Sequence, residues 1–224
     1  MKVIKKETGL AGILASELKQ ALDEHQRVVW LVPGGSNISI SIDAMSQIDA
    51  IDSRKLVIMQ TDERYVAPNH PDCNWLQLTS QGFDTKNAEV LPIILDDKEN
   101  IKDVVDRYSS TVKEQFKKAD FIIGQFGIGP DEHIAGIKPK TKASQSEELV
   151  IGYKAEDFIR VTLGFNAIGQ MGLVVAFVLG DSKRWAIDQI TSGNPPSLDI
   201  APATILREVN STIYTNQIKE SKEI

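Results

Sequence analysis

Apolar residues recur along this chain in two rhythms. Leu10, Ile13, Leu14, Leu18, Ala21 and Leu22 fall at helical spacing and predict an amphipathic first helix. Val28-Val29-Trp30-Leu31-Val32 is instead an unbroken apolar run, which predicts a buried strand closed by Pro33-Gly34-Gly35. A second helix is expected to about Ile48, with Ser36 or Asn37 able to cap it. Residues 55–60 predict the next strand, with polar Thr61-Asp62-Glu63-Arg64 as a loop at its end, and a short helix is expected near Trp75-Leu76-Gln77-Leu78. Residues 90–94 predict a strand that Pro92 confines to a sheet edge. Ile101, Val104, Val105, Tyr108, Val112 and Phe116 mark a third helix, followed by a strand at 121–126. Strands are expected again at 158–163, 172–179 and 212–214, with a helix after Asp181 or Ser182 and a short one near 202–208. Helices alternating with continuous apolar strands imply an α/β fold: a doubly wound, mostly parallel, Rossmann-like sheet with helices on both faces.

Composition narrows the class. With 224 residues and 42% hydrophobic content, the chain suits one α/β domain over 1–218, with a polar, frayed tail at 219–224. A net charge of -6 argues against a nucleic-acid surface. A single cysteine, Cys73, excludes an intrachain disulfide and fits a reducing cytosol. No apolar run approaches a membrane span, so a cytoplasmic protein is expected.

The chemistry concentrates after three strands, in loops 33–37, 61–64 and 127–133, which a doubly wound sheet gathers at one edge. Gly34-Gly35-Ser36-Asn37 before a helix can turn backbone N–H groups toward an anion, or can be an ordinary strand–helix turn. It lacks the lysine of a P-loop and the third glycine of a dinucleotide fingerprint, so neither ATP nor NAD is expected. Asp62 and Arg64 read either as a proton carrier beside an oxyanion or phosphate clamp, or as a surface ion pair. Of three histidines, His133 is the best placed to carry a proton, because Asp131 and His133 follow a strand and a glycine turn. His70 reads as a turn residue and His25 as a helix-end residue. Arg160 and Lys183, near the ends of apolar strands, either supply charge for a phosphate or run out to solvent. No metal-ligand cluster and no Gly-x-Ser-x-Gly elbow are present.

Taken in order, these segments resemble the family of 6-phosphogluconolactonases and glucosamine-6-phosphate deaminases over nearly the whole chain. Pro33-Gly34-Gly35-Ser36 is similar to its Gly-Gly-Ser-Thr-Pro phosphate loop, and Thr61-Asp62-Glu63-Arg64-Tyr65-Val66, continuing to Asn74, to the lactonase Asp-Glu-Arg-x-Val segment. Gly127-Ile128-Gly129-Pro130-Asp131-Glu132-His133-Ile134-Ala135 resembles Gly-x-Gly-x-Asp-Gly-His-Thr-Ala, and Arg160-Val161-Thr162-Leu163 the lactonase Arg-hydrophobic-Thr-Leu strand. Lys183 and Pro202-Ala203 match the family's last third. Arg64 favours the lactonase, because deaminases usually carry Tyr there; Ile134 is closer to the deaminase pattern. Three departures stand out: Asn37-Ile38 for Thr-Pro, Glu132 for the glycine before His133, and Gly136-Ile137-Lys138-Pro139 for Ser-Leu-Phe-Pro.

The resemblance implies hydrolysis of 6-phosphogluconolactone, a step of the pentose phosphate pathway, with no metal and no cofactor. It implies catalytic roles for His133, Asp131, Asp62 and Arg64, with Gly34, Gly35, Ser36, Asn37, Arg160 and Lys183 on the substrate phosphate. The implied partner is a small sugar phosphate, with no nucleic acid or membrane, and the chain a monomer or homodimer. Two other readings stay open: an amino-sugar phosphate deaminase or isomerase, and a sugar-phosphate-binding protein without turnover, which Glu132 and segment 136–138 motivate.

Overall fold

Continuous apolar runs become the centre of a sheet whose two faces are both covered. The structure, a computed structural model, describes residues 1–224. Its first half runs β1 (Lys2–Lys5), α1 (Leu10–Glu24), β2 (Val28–Val32), α2 (Ile38–Ser46), β3 (Leu56–Gln60), β4 (Asp62–Arg64), α3 (Asn74–Ser80), β5 (Glu89–Leu91) and α4 (Ile101–Lys118). Then follow β6 (Phe121–Phe126), β7 (Val150–Lys154), β8 (Ile159–Leu163), α5 (Phe165–Ile168), β9 (Leu173–Val178), α6 (Arg184–Ile190), β10 (Ser211–Thr215) and β11 (Lys222–Glu223). The eight-stranded sheet has the order β11-β1-β10-β9-β6-β2-β3-β5. Its pairings are parallel, except that β11 lies antiparallel to β1.

Side chains alternate across this sheet and build two cores. Val28, Trp30 and Val32 of β2 join Leu56 and Ile58 of β3 beneath the apolar faces of α1 and α2. Val29, Leu31, Val57 and Met59 point the other way, onto Val104, Tyr108, Val112 and Phe116 of α4 and Ile187 and Ile190 of α6. The α/β class, the parallel sheet and the two-sided helical cover are therefore as the periodicity implies. No helix is long and apolar enough to cross a membrane.

Three local expectations need correction, and strand β1 is an addition to them. The strand over 158–163 exists as β8, but it belongs to a separate three-stranded antiparallel sheet, β4-β8-β7. Residues 62–64, read as a loop, form a strand because β8 offers them a partner, Asp62 opposite Thr162 and Arg64 opposite Arg160. Strand β1 escapes the apolar pattern, since only Val3 of its residues is buried. The tail read as frayed supplies β11, with Lys2 opposite Glu223 and Val3 opposite Lys222.

The junction between the two sheets is pinned. The buried Tyr108 hydroxyl donates to the Gln60 carbonyl at 2.6 Å and accepts from the Gln60 N–H at 3.0 Å. The Gln60 side chain donates to Glu63 at 2.8 Å and accepts from the Ile93 N–H at 2.9 Å. Satisfying every group at this bend fixes where β4 leaves the main sheet.

Candidate active site

Strands β2 and β6 are neighbours from which the chain departs in opposite directions, toward β3 and β5 on one side and β9 and β10 on the other. Such a reversal leaves a crevice outside the carboxyl ends of the strands. The turns after β2 and β6 open there, and Gly127 comes so close to Asn37 that a Cβ would overlap its side chain. The resulting cavity, about 350 Å³, is lined by Gly34, Gly35, Ser36, Asn37, Asp62, Arg64, Asn74, His133, Arg160 and Lys183, among others. Asp131 is outside this lining and stands behind His133.

The first wall is the glycine turn. Gly35 has φ +66°, which suits a residue without a side chain, and Gly34 lies against Asn74 with no room for a Cβ. Residues 35–37 form a 3₁₀ turn ahead of α2, so neither Ser36 nor Asn37 makes the expected side-chain cap. Asn37 Nδ2 instead donates to the Phe177 carbonyl at 3.4 Å, and its Oδ1 is buried without a partner. Lys183 closes this side from a 3₁₀ turn ahead of α6, where no side chain caps the helix either. Burial lowers the pKa of its ammonium, and the negative field of Asp131 opposes that in part.

The second wall is the small sheet. Strand alternation turns Asp62 and Arg64 to the cavity and Glu63 away from it. Glu63 is fully buried and accepts from the backbone N–H groups of Arg64 at 2.8 Å, Asn74 at 2.7 Å and Trp75 at 2.9 Å. It thereby ties the start of α3 to β4. Burial raises its pKa against those hydrogen bonds. Asp62 accepts from Thr61 Oγ1 at 2.9 Å and lies 3.8 Å from Arg160. Arg160 enters the cavity already engaged, its guanidinium donating to both oxygens of Asp157 at 3.3 and 2.7 Å. Burial works against ionisation of Asp157, yet the Arg160 hydrogen bond and charge hold its pKa down at about 2. Arg64 Nη1 donates to the Asp72 carbonyl at 2.9 Å, while its Nε is buried and unpartnered. The two guanidiniums flank the Phe158 ring, 5.6 and 5.9 Å from its centroid.

The third wall is the turn after β6. The Gly129 N–H donates to the His133 carbonyl at 2.9 Å and the Glu132 N–H to the Gly129 carbonyl at 3.0 Å. The chain doubles back here so tightly that Glu132 takes φ +68° and Ala135 φ +50°. Buried Ile128, Ile134 and Ile137 root the turn in the core. His133 Nδ1 and Asp131 Oδ1 are 2.5 Å apart. Burial opposes the charge on Asp131, but the hydrogen bond and charge of His133, with Lys138 behind, hold its carboxyl well below the usual range. The other histidines are elsewhere: His25 stacks on Phe121, and His70 Nδ1 accepts from the Asp72 N–H at 3.1 Å, as a turn residue does.

Three residues of this neighbourhood carry no signal strong enough to single them out in sequence. Asn74 donates to the Asp62 carbonyl at 3.1 Å. Asp157 precedes β8 and meets Arg160, and Lys138 lies 3.7 Å from both Asp131 and Asp157. For Asn74 the hint is its place after the Asp-Glu-Arg segment; for Lys138 it is the departure from the family pattern.

Comparison with known proteins shows the family and the fold. A curated 6-phosphogluconolactonase of Neisseria meningitidis is 28% identical over 197 residues, covering 82% of this chain and 83% of the relative. The crystal structure of 6-phosphogluconolactonase from Thermotoga maritima superposes with a TM-score of 0.76 at 18% identity, over 95% of this chain and 97% of that one. A monomeric glucosamine-6-phosphate deaminase superposes equally well, with a TM-score of 0.79 at 17% identity over 97% and 98% of the two chains. The family model for glucosamine-6-phosphate isomerases/6-phosphogluconolactonase matches residues 6–215, and the chain belongs to that family.

Proposed function

We propose that this chain hydrolyses 6-phosphogluconolactone to 6-phosphogluconate, with His133 as general base. The observation that carries the reading is the Asp131–His133 pair at 2.5 Å, whose imidazole faces a cavity shared with Arg64, Arg160 and Lys183. The reaction named for the Neisseria meningitidis relative supports the lactone as substrate. Arg64, on the cavity wall, favours the lactonase over the deaminase.

With Nδ1–H donated to Asp131, the Nε2 of His133 is left to accept a proton. A water attacks the lactone carbonyl carbon as its proton passes to Nε2, and the carbonyl oxygen takes up the negative charge. Arg64 stabilises that oxyanion. Collapse of the tetrahedral centre breaks the bond to the ring oxygen, which leaves with the proton returned by His133. The backbone and side chains at 34–37 hold the phosphate with Lys183 and Arg160, the latter oriented by its pairings with Asp157 and Asp62.

The test is the hydrolysis rate of freshly generated 6-phosphogluconolactone, corrected for spontaneous opening. Wild type should exceed background, and His133→Ala should lose at least about a hundredfold in turnover. Full turnover in that variant would remove His133 from the role. Ammonia release from glucosamine 6-phosphate in place of lactone opening would transfer the assignment to the deaminase. Binding of 6-phosphogluconate without turnover of either substrate would leave a sugar-phosphate-binding protein.

A further inference from the structure

The segment after the catalytic turn is held more firmly than its loop character implies. The Gly136 N–H donates to Thr162 Oγ1 at 2.9 Å, and Tyr153 Oη donates to the Gly136 carbonyl at 2.6 Å while accepting from the Lys138 N–H at 3.3 Å. A Cβ on Gly136 would crowd Thr162 and Asp62. Backbone 136–138 is thus fastened to β7 and β8, and this fixes where the Lys138 side chain leaves the turn. Its ammonium lies 3.7 Å from Asp131 Oδ2 and 3.7 Å from Asp157 Oδ2. The other oxygen of Asp131 holds His133, and Asp157 holds Arg160. Charges of alternating sign therefore run from the imidazole behind the cavity lining and back into it: Asp131, Lys138, Asp157, Arg160, Asp62.

We propose that Lys138 is a positioning residue that divides Asp131 between itself and His133, setting how strongly that carboxylate draws on the imidazole. Through Asp157 it also ties the catalytic turn to the wall that carries Arg160. The inference rests on the reading of His133 as general base. A carboxylate beside an imidazole favours its protonated form, and a cation sharing that carboxylate weakens the effect. The other charged groups facing this pair are Glu132 on the same turn, Asp62 and Arg64 from β4, Arg160 from β8 and Lys183 ahead of α6.

The signs are opposite for the two neighbours of this bridge. In Lys138→Met, Asp131 acts on His133 unshared, so the acid limb of kcat/KM against pH should move up by about half a pH unit or more. In Asp157→Asn, one negative charge is gone and Lys138 turns wholly to Asp131, so the limb should move down. Lys138→Arg should restore the wild-type limb. Purely structural damage lowers the amplitude of such a profile without moving its limb in opposite directions, and melting curves recorded alongside separate the two effects. Limbs that stay in place, or move the same way in both variants, would overturn the role of Lys138. His133→Ala separates the two readings: full turnover there overturns the base and this role together. Loss of turnover there, with unmoved limbs in the other variants, overturns Lys138 alone.

Discussion

Two turns border the cavity, each leaving the carboxyl end of a buried strand, and they solve the same backbone problem differently. The turn after β2 uses glycine where φ is positive, Gly35 at +66°. The turn after β6 puts Glu132 at +68° and Ala135 at +50°. A residue with a Cβ in the left-handed region costs about 1 kcal/mol or more, which glycine avoids. The first turn keeps its shape because glycine tolerates it. The second keeps its shape because its surroundings enforce it, through the hydrogen bonds at Gly129, the buried isoleucines and the bond from the Ala203 N–H to the Glu132 carbonyl at 3.0 Å. Under the proposed function the first turn has mainly to present backbone dipoles to a phosphate, whereas the second has to hold the His133 side chain in register, and the second turn is built with the stiffer means.

The largest break in this comparison is Gly129→Ala. Its Cβ would overlap both the His133 ring and the Asp131 carboxylate, forcing the pair apart. Turnover is expected to fall by about a hundredfold, comparable to losing a positioned base, while affinity for 6-phosphogluconate changes little. Next is Gly35→Ala, where a Cβ meets open space and only the dihedral is penalised. About 1 kcal/mol of stability should be lost, a melting-temperature drop of about 2–4 °C for a chain of this size. The smallest effect sharpens the comparison through pH. Burial raises the Glu132 carboxyl above its ordinary value, with Asp131 adding to the shift and Trp185 opposing it. The folded state then binds more protons than the unfolded one between the two pKa values, so stability falls as pH rises from the unfolded value of about 4.3 to the folded one. Glu132→Gln should melt higher than wild type at neutral pH, with the gap closing as pH drops toward 4; a gap that is constant with pH would remove Glu132 as its source.

The parts of the fold legible in the sequence are those where one strand suffices to declare itself. Val28–Val32 and Leu173–Val178 are buried along nearly their whole length and read as continuous apolar runs. Strand β4 is Asp-Glu-Arg, three polar residues that become a strand only by pairing with β8, and no local pattern announces that. The site divides the same way. Glycines and the Asp-x-His spacing mark the turns, so His133, Asp131 and residues 34–37 stand out in sequence. Asp157 and Lys138 have partners near in sequence, Arg160 and Asp131, but their meeting with each other depends on how β7 and β8 pack. Glu132 is the instructive intermediate: its departure from a family glycine is visible in sequence, and the positive φ behind that glycine is visible only in the structure.

The pairing order of the main sheet has a consequence for how the chain comes to life during synthesis. Strand β1 is the first to be made, yet its parallel partner is β10, with Lys2 opposite Thr212 and Lys5 opposite Thr215. Asp62 likewise waits for Thr162 and Arg160 before its strand exists. A nascent chain can therefore close the contiguous part of the sheet, β2 on β3, long before it has a pocket. Closing such distant contacts is slow, and until β10 emerges β1 is an unpaired edge open to the wrong partner. The pocket itself forms only once β8 and Lys183, far along the chain, have followed the first strands.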